Sequence, residues 1–327
     1  MLKIGVIGVG YMGFHHARIY AQNKICKLIG VYDVDESKAE MVAENLQTNY
    51  YKDVRDLIKE VDAVSIAVPT DKHYEVAKMV LNYSKHILIE KPVTDNLEQA
   101  EELRELAYKK GTILMVGHTE RFNPVLKQVI SYVNKPIFIE IRRMGPLPNR
   151  KPSTGVVLDL MIHDIDIIVN YLLRNKKIKE INAVGNSVYD FTLNEDIANA
   201  VITFENDTIV ILTSSRCHPV KERKMRIIQS DNSIYADYIS QYVEVHYVPL
   251  NIYKHTNYES FEMKVEIPNV IRYEPLRLEL TEFINAINEN RKPLVTIDDG
   301  INALNVSFKM LKKIYEQFNI VDKVKMI

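Results

Sequence analysis

Covalent and metallic staples are scarce in this chain. Only two cysteines, Cys26 and Cys217, occur in 327 residues, and no CxxC spacing is present. A disulfide framework and a thiolate metal cage are thereby excluded, and a reducing, cytoplasmic setting is expected. Net charge is equally small, because 42 Lys and Arg stand against 43 Asp and Glu, a formal charge of -1. The electrostatic footprint of a general nucleic-acid binder is missing. Long apolar runs are also wanting: MLKIGVIGVGYMG breaks at glycines after a few residues, too short for a membrane span or a signal h-region, and reads as a first strand. No internal repeat, low-complexity tract or long linker interrupts the chain. What remains is 46% hydrophobic and 26% charged, an ordinary globular balance, and the length exceeds what one core usually holds. Two domains are expected, with neither nucleic acid nor membrane as a partner.

The first third alternates short β-branched runs with helical patterns: KIGVIG, a helix from about Met12, KLIGVYD, a helix through AEMVAENL, DAVSIAVP, a helix after Thr70, HILIE, a helix from about Asn96, and ILMVG. Such alternation predicts an α/β fold with a parallel sheet covered on both faces and right-handed crossovers. After His118 the pattern changes. ERFNPVLKQVISYV reads as one helix, and then strands follow strands: IFIEIRRM, EINAVGNSVYD, DIANAVITFE, DTIVILTSS and KMRIIQS, with a long helical stretch VVLDLMIHDIDIIVNYLL among them. A mostly antiparallel sheet with a few helices suits this half. The expected division falls near residue 120, with residues 1–120 as the first domain and 121–327 as the second. Apolar residues at both parities in DTIVILTSS leave neither sheet face made for water, which points to a second subunit and a homo-oligomer.

Gly8, Gly10 and Gly13 form GVGYMG directly after the first strand and open a helix, and Asp33 ends the second strand twenty positions beyond Gly13. The first glycine allows a tight turn, the second lets the backbone approach a pyrophosphate, and the third permits close helix–strand packing. The helix N-terminus adds unpaired N–H groups and a favourable dipole. A glycine-rich turn that binds nothing is the alternative, but here strand, glycines, helix and acid all fall at the required spacing. Asp33 can accept from the adenosine ribose hydroxyls and would repel a 2′-phosphate, so NAD is favoured over NADP, with Lys38 a nearby counter-signal.

ILIEKPVT sets a carboxylate, an ammonium and a proline at the end of an apolar strand, where a buried charge needs a partner. In an open parallel sheet that end faces the ligand crevice, so the strand delivers Lys91 to a cleft, with a strand-end salt bridge as the plainer alternative. Pro92 biases Lys91 toward an extended conformation. In GVVLDLMIHDIDI, Asp159 and His163 stand four apart and share a face of the predicted helix, beside a stripe of Leu158, Ile162, Ile165 and Val169. Such a pair can be a simple i, i−4 contact or a metal site, though no third ligand of clear spacing accompanies it. It can also orient an imidazole that takes a proton from an alcohol, with Lys91 hydrogen-bonding the same oxygen.

GVGYMG, Asp33, AVPT before His73, the EKP tripeptide and LDLMIHDID together resemble the Gfo/Idh/MocA oxidoreductases, from Met1 to beyond Asp299. The resemblance implies a Rossmann domain followed by an α/β domain with an open, mostly antiparallel sheet that holds sugars and forms dimers or tetramers. It implies Lys91 as catalytic lysine, with Asp159 and His163 as partners and His163 as proton acceptor. It also implies cofactor contacts from Gly8, Gly10, Tyr11, Met12, Gly13, Asp33, Pro69, Thr70, His73, Glu90 and Lys91. Thr70 stands where the family more often has Asn, and KPSTG lacks the usual glycine cluster. GHTERFNP, RRMGPLPNRKPSTGVVLDLMIHDIDI and EPLRLELTEFINAI look more narrowly like UDP-N-acetylglucosamine 3-dehydrogenases, whose 3-keto product an aminotransferase can use. The expected substrate is therefore a nucleotide sugar or polyol, bound by Lys91, Asp159 and His163. A diphosphate would add Arg121, Arg143 and Arg150, with Lys151 and Arg216 as further cations. Because Arg142 and Arg143 alternate on a strand, only one can face the site. An inositol or free-sugar dehydrogenase, a non-catalytic NAD-binding regulator and a metal-dependent lyase or hydrolase are the competing functions.

Overall fold

A computed structural model of the chain describes residues 1–149, 152, 154–189, 192, 194–248 and 264–317. Arg150 and Lys151, two of the expected diphosphate cations, lie outside the described residues. The chain divides into two compact units, Met1–Phe122 with Glu274–Leu304, and Asn123–Tyr273 with Asn305–Ile327.

The first unit carries β1 (Leu2–Ile7), α1 (Tyr11–Gln22), β2 (Cys26–Tyr32), α2 (Glu36–Leu46), β3 (Asn49–Tyr50), α3 (Val54–Glu60), β4 (Ala63–Ile66), α4 (His73–Asn82), β5 (His86–Glu90), α5 (Leu97–Lys110) and β6 (Leu114–Gly117). Its six strands lie in the order β3-β2-β1-β4-β5-β6, all parallel. That is the doubly wound arrangement, with its switch point between β1 and β4. Every residue of β4 and β6 is buried, as is β5 from Ile87 onward, which is the signature of a sheet covered on both faces. The sequence pattern misses β3 and α3. A two-residue edge strand and a seven-residue helix are too short to show a period, although Asp53 caps α3 by accepting from Arg55 N at 2.8 Å.

In the second unit the expected single helix from Glu120 is broken into a short turn, Thr119–Phe122, and α6 (Pro124–Tyr132). Asn123 caps the new helix by accepting from Val125 N, and Pro124 at its first turn supplies a suitable φ. Next come β7 (Phe138–Met144), the helical run 156–172 with α7 (Ile162–Asp166) at its centre, β8 (Ile178–Asn186), β9 (Ile197–Phe204), β10 (Ile209–Ser215), β11 (Glu222–Ile228), β12 (Asn232–Asp237), β13 (Tyr242–Tyr247) and β14 (Lys264–Glu266). The eight strands run β14-β13-β12-β11-β7-β10-β9-β8, antiparallel except for the parallel pair β7–β10. The helical run packs on β10, and α6 packs on β12 and β13. On β10, Val210 and Leu212 are buried while Ile209 is exposed, so one sheet face is covered within the chain.

Two helices follow among the described residues, α8 (Pro275–Asn288) and α9 (Ile297–Gln317). The segment Glu274–Leu304, which a boundary at residue 120 would assign to the second domain, groups with the first unit instead. The reason is visible in its contacts. Leu276, Leu280, Phe283 and Ile284 of α8 are buried. Arg18 binds Glu274 at 2.6 Å, Arg277 binds Gln22 at 2.8 Å, and Thr119 donates to the buried Glu279 at 2.9 Å. Among the described residues no helix is long and apolar enough to cross a membrane, and no group of three or more His, Cys, Asp or Glu is arranged to hold a metal ion.

Candidate active site

The glycine loop joins β1 to α1 with three distinct local requirements. Gly8 has φ +85°, where an L side chain is strained, and its N–H donates to Tyr32 O at 2.7 Å. A Cβ on Gly13 would overlap the carbonyl oxygen of Gly8, so helix and loop approach only because none is there. Over Gly10 the protein leaves room: a Cβ would meet nothing nearer than Lys38 Nζ at 4.0 Å. Gly10 offers the N-terminus of α1 no capping side chain, and the first turn of the helix holds no acid. Its orphan N–H groups and dipole are thus kept for an anion, which is the chemistry of a dinucleotide phosphate. Asp33, just past β2, braces the loop: its carboxylate accepts from Val9 N at 2.8 Å and from Asp35 N at 3.0 Å. Tyr11 is exposed and edge-on to His15, with ring centroids 4.8 Å apart, and Met12 is half-buried beside it.

The end of β5 answers why a buried strand stops in charges. Glu90 is 8% exposed, and its Oε1 lies 3.0 Å from Nε2 of the fully buried His16 on α1. Burial alone would raise the Glu90 pKa. The His16 contact, with the charges of His16, Lys91 and His73, outweighs it and holds the carboxyl below its ordinary value. Lys91 is partly exposed, and the Lys91–Pro92 peptide is cis. His73 is 1% exposed, with Nδ1 at 2.9 Å from Pro92 O and Nε2 at 3.0 Å from Val68 O. Burial, only partly offset by those carbonyls, pushes its pKa down. Two residues expected to touch the cofactor, Glu90 and His73, are therefore turned into the unit, where they brace the segment around Lys91. Pro69 is exposed and Thr70 half-buried in the turn before α4, and Arg121 is half-buried in the turn after β6.

In the second unit the helical run is not a uniform α-helix. Val157–Met161 and Ile167–Leu172 are π-turns on either side of α7, hydrogen-bonded i to i+5, a geometry that is rare and recurs at functional sites. Asp159 lies in the first π-turn and His163 in α7, and both are partly exposed. Leu158, expected in the apolar stripe, is also partly exposed, because the wider turn rotates the register, whereas Ile162, Ile165 and Val169 are buried.

The start of this run is clamped. Val156 N donates to Glu195 O and Val157 N to Glu195 Oε1, both at 3.0 Å, while Tyr315 donates to Glu195 Oε2 at 3.1 Å. Burial raises the Glu195 pKa despite these bonds. Arg216, 3% exposed, donates to Thr154 O at 2.7 Å and lies 3.5 Å from Asp196, which commits it to the same clamp. Glu195 and Arg216 thus hold the entry to the helical run, from Thr154 to Val157. Arg143 is 2% exposed and grips Asp164 with two bonds, 2.9 and 2.7 Å, its guanidinium carbon 5.9 Å from the Tyr238 ring centroid. Of the two neighbouring arginines, Arg143 therefore faces the helical run and Arg142 faces away, paired with Glu222.

Residues 2–118 match the family model described as oxidoreductase family, NAD-binding Rossmann fold, and residues 138–235 match the C-terminal domain model of the same family. The chain is 32% identical over 291 residues to UDP-N-acetylglucosamine 3-dehydrogenase of Acidithiobacillus ferrooxidans, covering 89% of this chain and 90% of that one. The chain belongs to the Gfo/Idh/MocA oxidoreductase family. A solved structure of the Acidithiobacillus enzyme superposes with a TM-score of 0.87 at 30% identity, covering 96% of this chain and 97% of the other. Myo-inositol 2-dehydrogenase of Thermotoga maritima is 26% identical and covers 98% of both chains. The protein is accordingly an oxidoreductase whose first unit is built for a nicotinamide dinucleotide.

Three supporting residues escape sequence reasoning: His16, Asp164 and Glu195. One signal was present for His16, since Gly13, His16, Ala17 and Tyr20 form the buried stripe of α1 and a histidine in such a stripe demands a buried partner. Asp164 likewise alternates with buried isoleucines. Glu195 carries no local signal at all.

Proposed function

We propose that this chain is an NAD-dependent dehydrogenase that oxidises the C3 hydroxyl of UDP-N-acetylglucosamine to the 3-keto nucleotide sugar. The observation that carries this reading is the likeness to the Acidithiobacillus enzyme over nine-tenths of both chains, in a chain that keeps Lys91, Asp159 and His163. When bound, the nicotinamide supplies the acceptor for the carbinol hydride. His163 takes the hydroxyl proton, Asp159 orients the imidazole and favours its protonated form, and the Lys91 ammonium hydrogen-bonds the same oxygen. Asp33, already anchored to the loop, receives the adenosine ribose and disfavours a 2′-phosphate, so NAD is the cofactor rather than NADP. Arg121 and Arg150 meet the diphosphate, whereas Arg143 is engaged by Asp164. The protein works in the cytoplasm as a homodimer or homotetramer, and its product feeds an aminotransferase.

The test is NADH formation by purified protein offered NAD or NADP with UDP-N-acetylglucosamine, myo-inositol and free hexoses. Oxidation of a polyol but not of the nucleotide sugar overturns the substrate and supports the second reading, an inositol or free-sugar dehydrogenase, which the Thermotoga likeness favours. Lys91→Met and His163→Asn should each lower kcat by about 10²–10⁴-fold while NADH affinity stays within about twofold. Unchanged turnover in either removes the mechanism, and a non-catalytic regulator would show no turnover to lose.

A further inference from the structure

The first π-turn of the second unit is held from outside its own segment. Val156 and Val157, both buried, open the helical run, and helix geometry gives neither N–H a partner within it. One residue remote in sequence takes both: Val156 N donates to Glu195 O and Val157 N to Glu195 Oε1, each at 3.0 Å. Glu195 therefore serves as the N-cap that the local sequence does not supply, with its carboxyl where the helix dipole favours an acceptor. That carboxyl lies over Gly155, where a Cβ would overlap it, so the chain passes beneath Glu195 only because no side chain stands there. From the other side Tyr315, buried in α9, donates to Glu195 Oε2 at 3.1 Å. Val157 also carries the bond that makes the turn wide, since its carbonyl accepts from Ile162 N, five residues on. The N–H that Glu195 holds and the carbonyl that closes the π-turn thus belong to one residue. Asp159 stands inside the wide turn and His163 just beyond it. Tightening it to an α-turn would expel one residue and rotate Asp159 by about 100° around the helix axis relative to His163.

We propose that Glu195, itself held by Tyr315, is a positioning residue that pins Val157, keeps the π-turn open and so fixes Asp159 against His163. The inference rests on the reading of Asp159 and His163 given above and deepens it. A π-turn is rare because the α-turn is the preferred geometry, so the wide turn persists where a bond from outside favours it. Glu195 supplies that bond through the backbone of Val157 and touches neither sugar nor cofactor.

The experiment compares the wild-type full chain with Glu195→Ala, which deletes the pin, Glu195→Gln, which keeps an oxygen for Val157 N, and Tyr315→Phe. Amide hydrogen exchange, read by mass spectrometry on the peptide spanning residues 156–163 without cofactor or sugar, should be at least about tenfold faster in Glu195→Ala, with β12 at its wild-type rate. An unchanged rate at 156–163, or an equal rise in β12, would overturn the proposal. In Glu195→Ala kcat should fall about 10–100-fold while sugar KM and NADH Kd stay within about twofold. A KM that rises in step with the loss of kcat would make Glu195 a substrate contact and sink the idea. Glu195→Gln should recover kcat to within about threefold of wild type, and a Gln variant no better than Ala defeats the pin. In an Asp159→Asn background, Glu195→Ala should cost no more than about threefold further, because a residue that acts through Asp159 has nothing left to position; full additivity contradicts this. Should Glu195→Ala not fold, Tyr315→Phe decides: faster exchange at 156–163 supports the proposal, and the wild-type rate defeats it. A wild type that oxidises no sugar counts against the proposed function alone, since exchange needs no substrate.

Discussion

Replacing Asp164 by Leu tests how the second unit is held. Arg143 and Asp164 are 2% and 1% exposed and joined by bonds of 2.9 and 2.7 Å, so deleting the carboxylate takes two charge-assisted bonds from a guanidinium shut away from water. Breaking one side of such a buried pair costs about 3–5 kcal/mol. For a body of 150–250 residues each kcal/mol shifts Tm by about 2–4 °C, so the melting transition should fall by roughly 6–20 °C. Removing both charges is different, because the desolvation that the pair offsets disappears with them. Arg143→Met combined with Asp164→Leu should melt within a few degrees of wild type, or above it. Circular dichroism melting at pH 7 reads both variants. A single variant that melts like wild type, or a double variant no more stable than the single, would refute the reasoning. The double variant also separates packing from recognition: an unchanged nucleotide-sugar KM keeps Arg143 structural, and a tenfold rise returns it to the diphosphate.

Two further substitutions contrast the phosphate-loop glycines. Gly10→Ala should fold normally, as its Cβ has Lys38 Nζ at 4.0 Å for its nearest neighbour, yet bind NADH at least about tenfold more weakly; wild-type affinity would remove the phosphate from that position. Gly13→Ala, which overlaps the Gly8 carbonyl, should lower Tm and affinity together. Glu195 makes a pH prediction. Its folded pKa is raised above 4.5, so the native state binds the extra proton and its contribution to stability declines as pH rises through the folded value. Glu195→Gln keeps the bond to Val157 and should match or exceed the wild-type Tm at pH 8, the gap closing toward pH 4.5; a constant loss at both pH values would contradict this. Glu90 has the opposite sign: its lowered pKa stabilises the fold above its unfolded value and is lost on acidification, so Glu90→Gln should flatten the acid limb of a Tm–pH curve.

Much of the first unit was legible because its signals are local. The glycine spacing, the period of the strands and the acid at residue 33 are set within a few turns of chain, and the parallel order follows from strands alternating with helices. The second unit was legible as a run of strands up to β11, but not as an order of pairing. Nothing local says that β7 takes β10 as a parallel neighbour and β11 as an antiparallel one. That pairing sets which side of β7 meets the helical run, and hence that Arg143 is buried against Asp164 while Arg142 faces Glu222. The π-turns escaped for a related reason, since an i, i+4 template fits LDLMIH and cannot report a turn that one extra residue has widened.

The sequence by itself determined the family, the cofactor-binding grammar and the identity of the three side chains on which catalysis is proposed to depend. Tertiary structure alone decided what surrounds them: that His16 reaches Glu90, that Glu195 fastens the helical run, and that Glu274–Leu304 returns to the first unit. The physical reason is that a buried charge must find its partner in space, and its partner here is supplied by an element remote in sequence, whose placement depends on the packing of the whole unit.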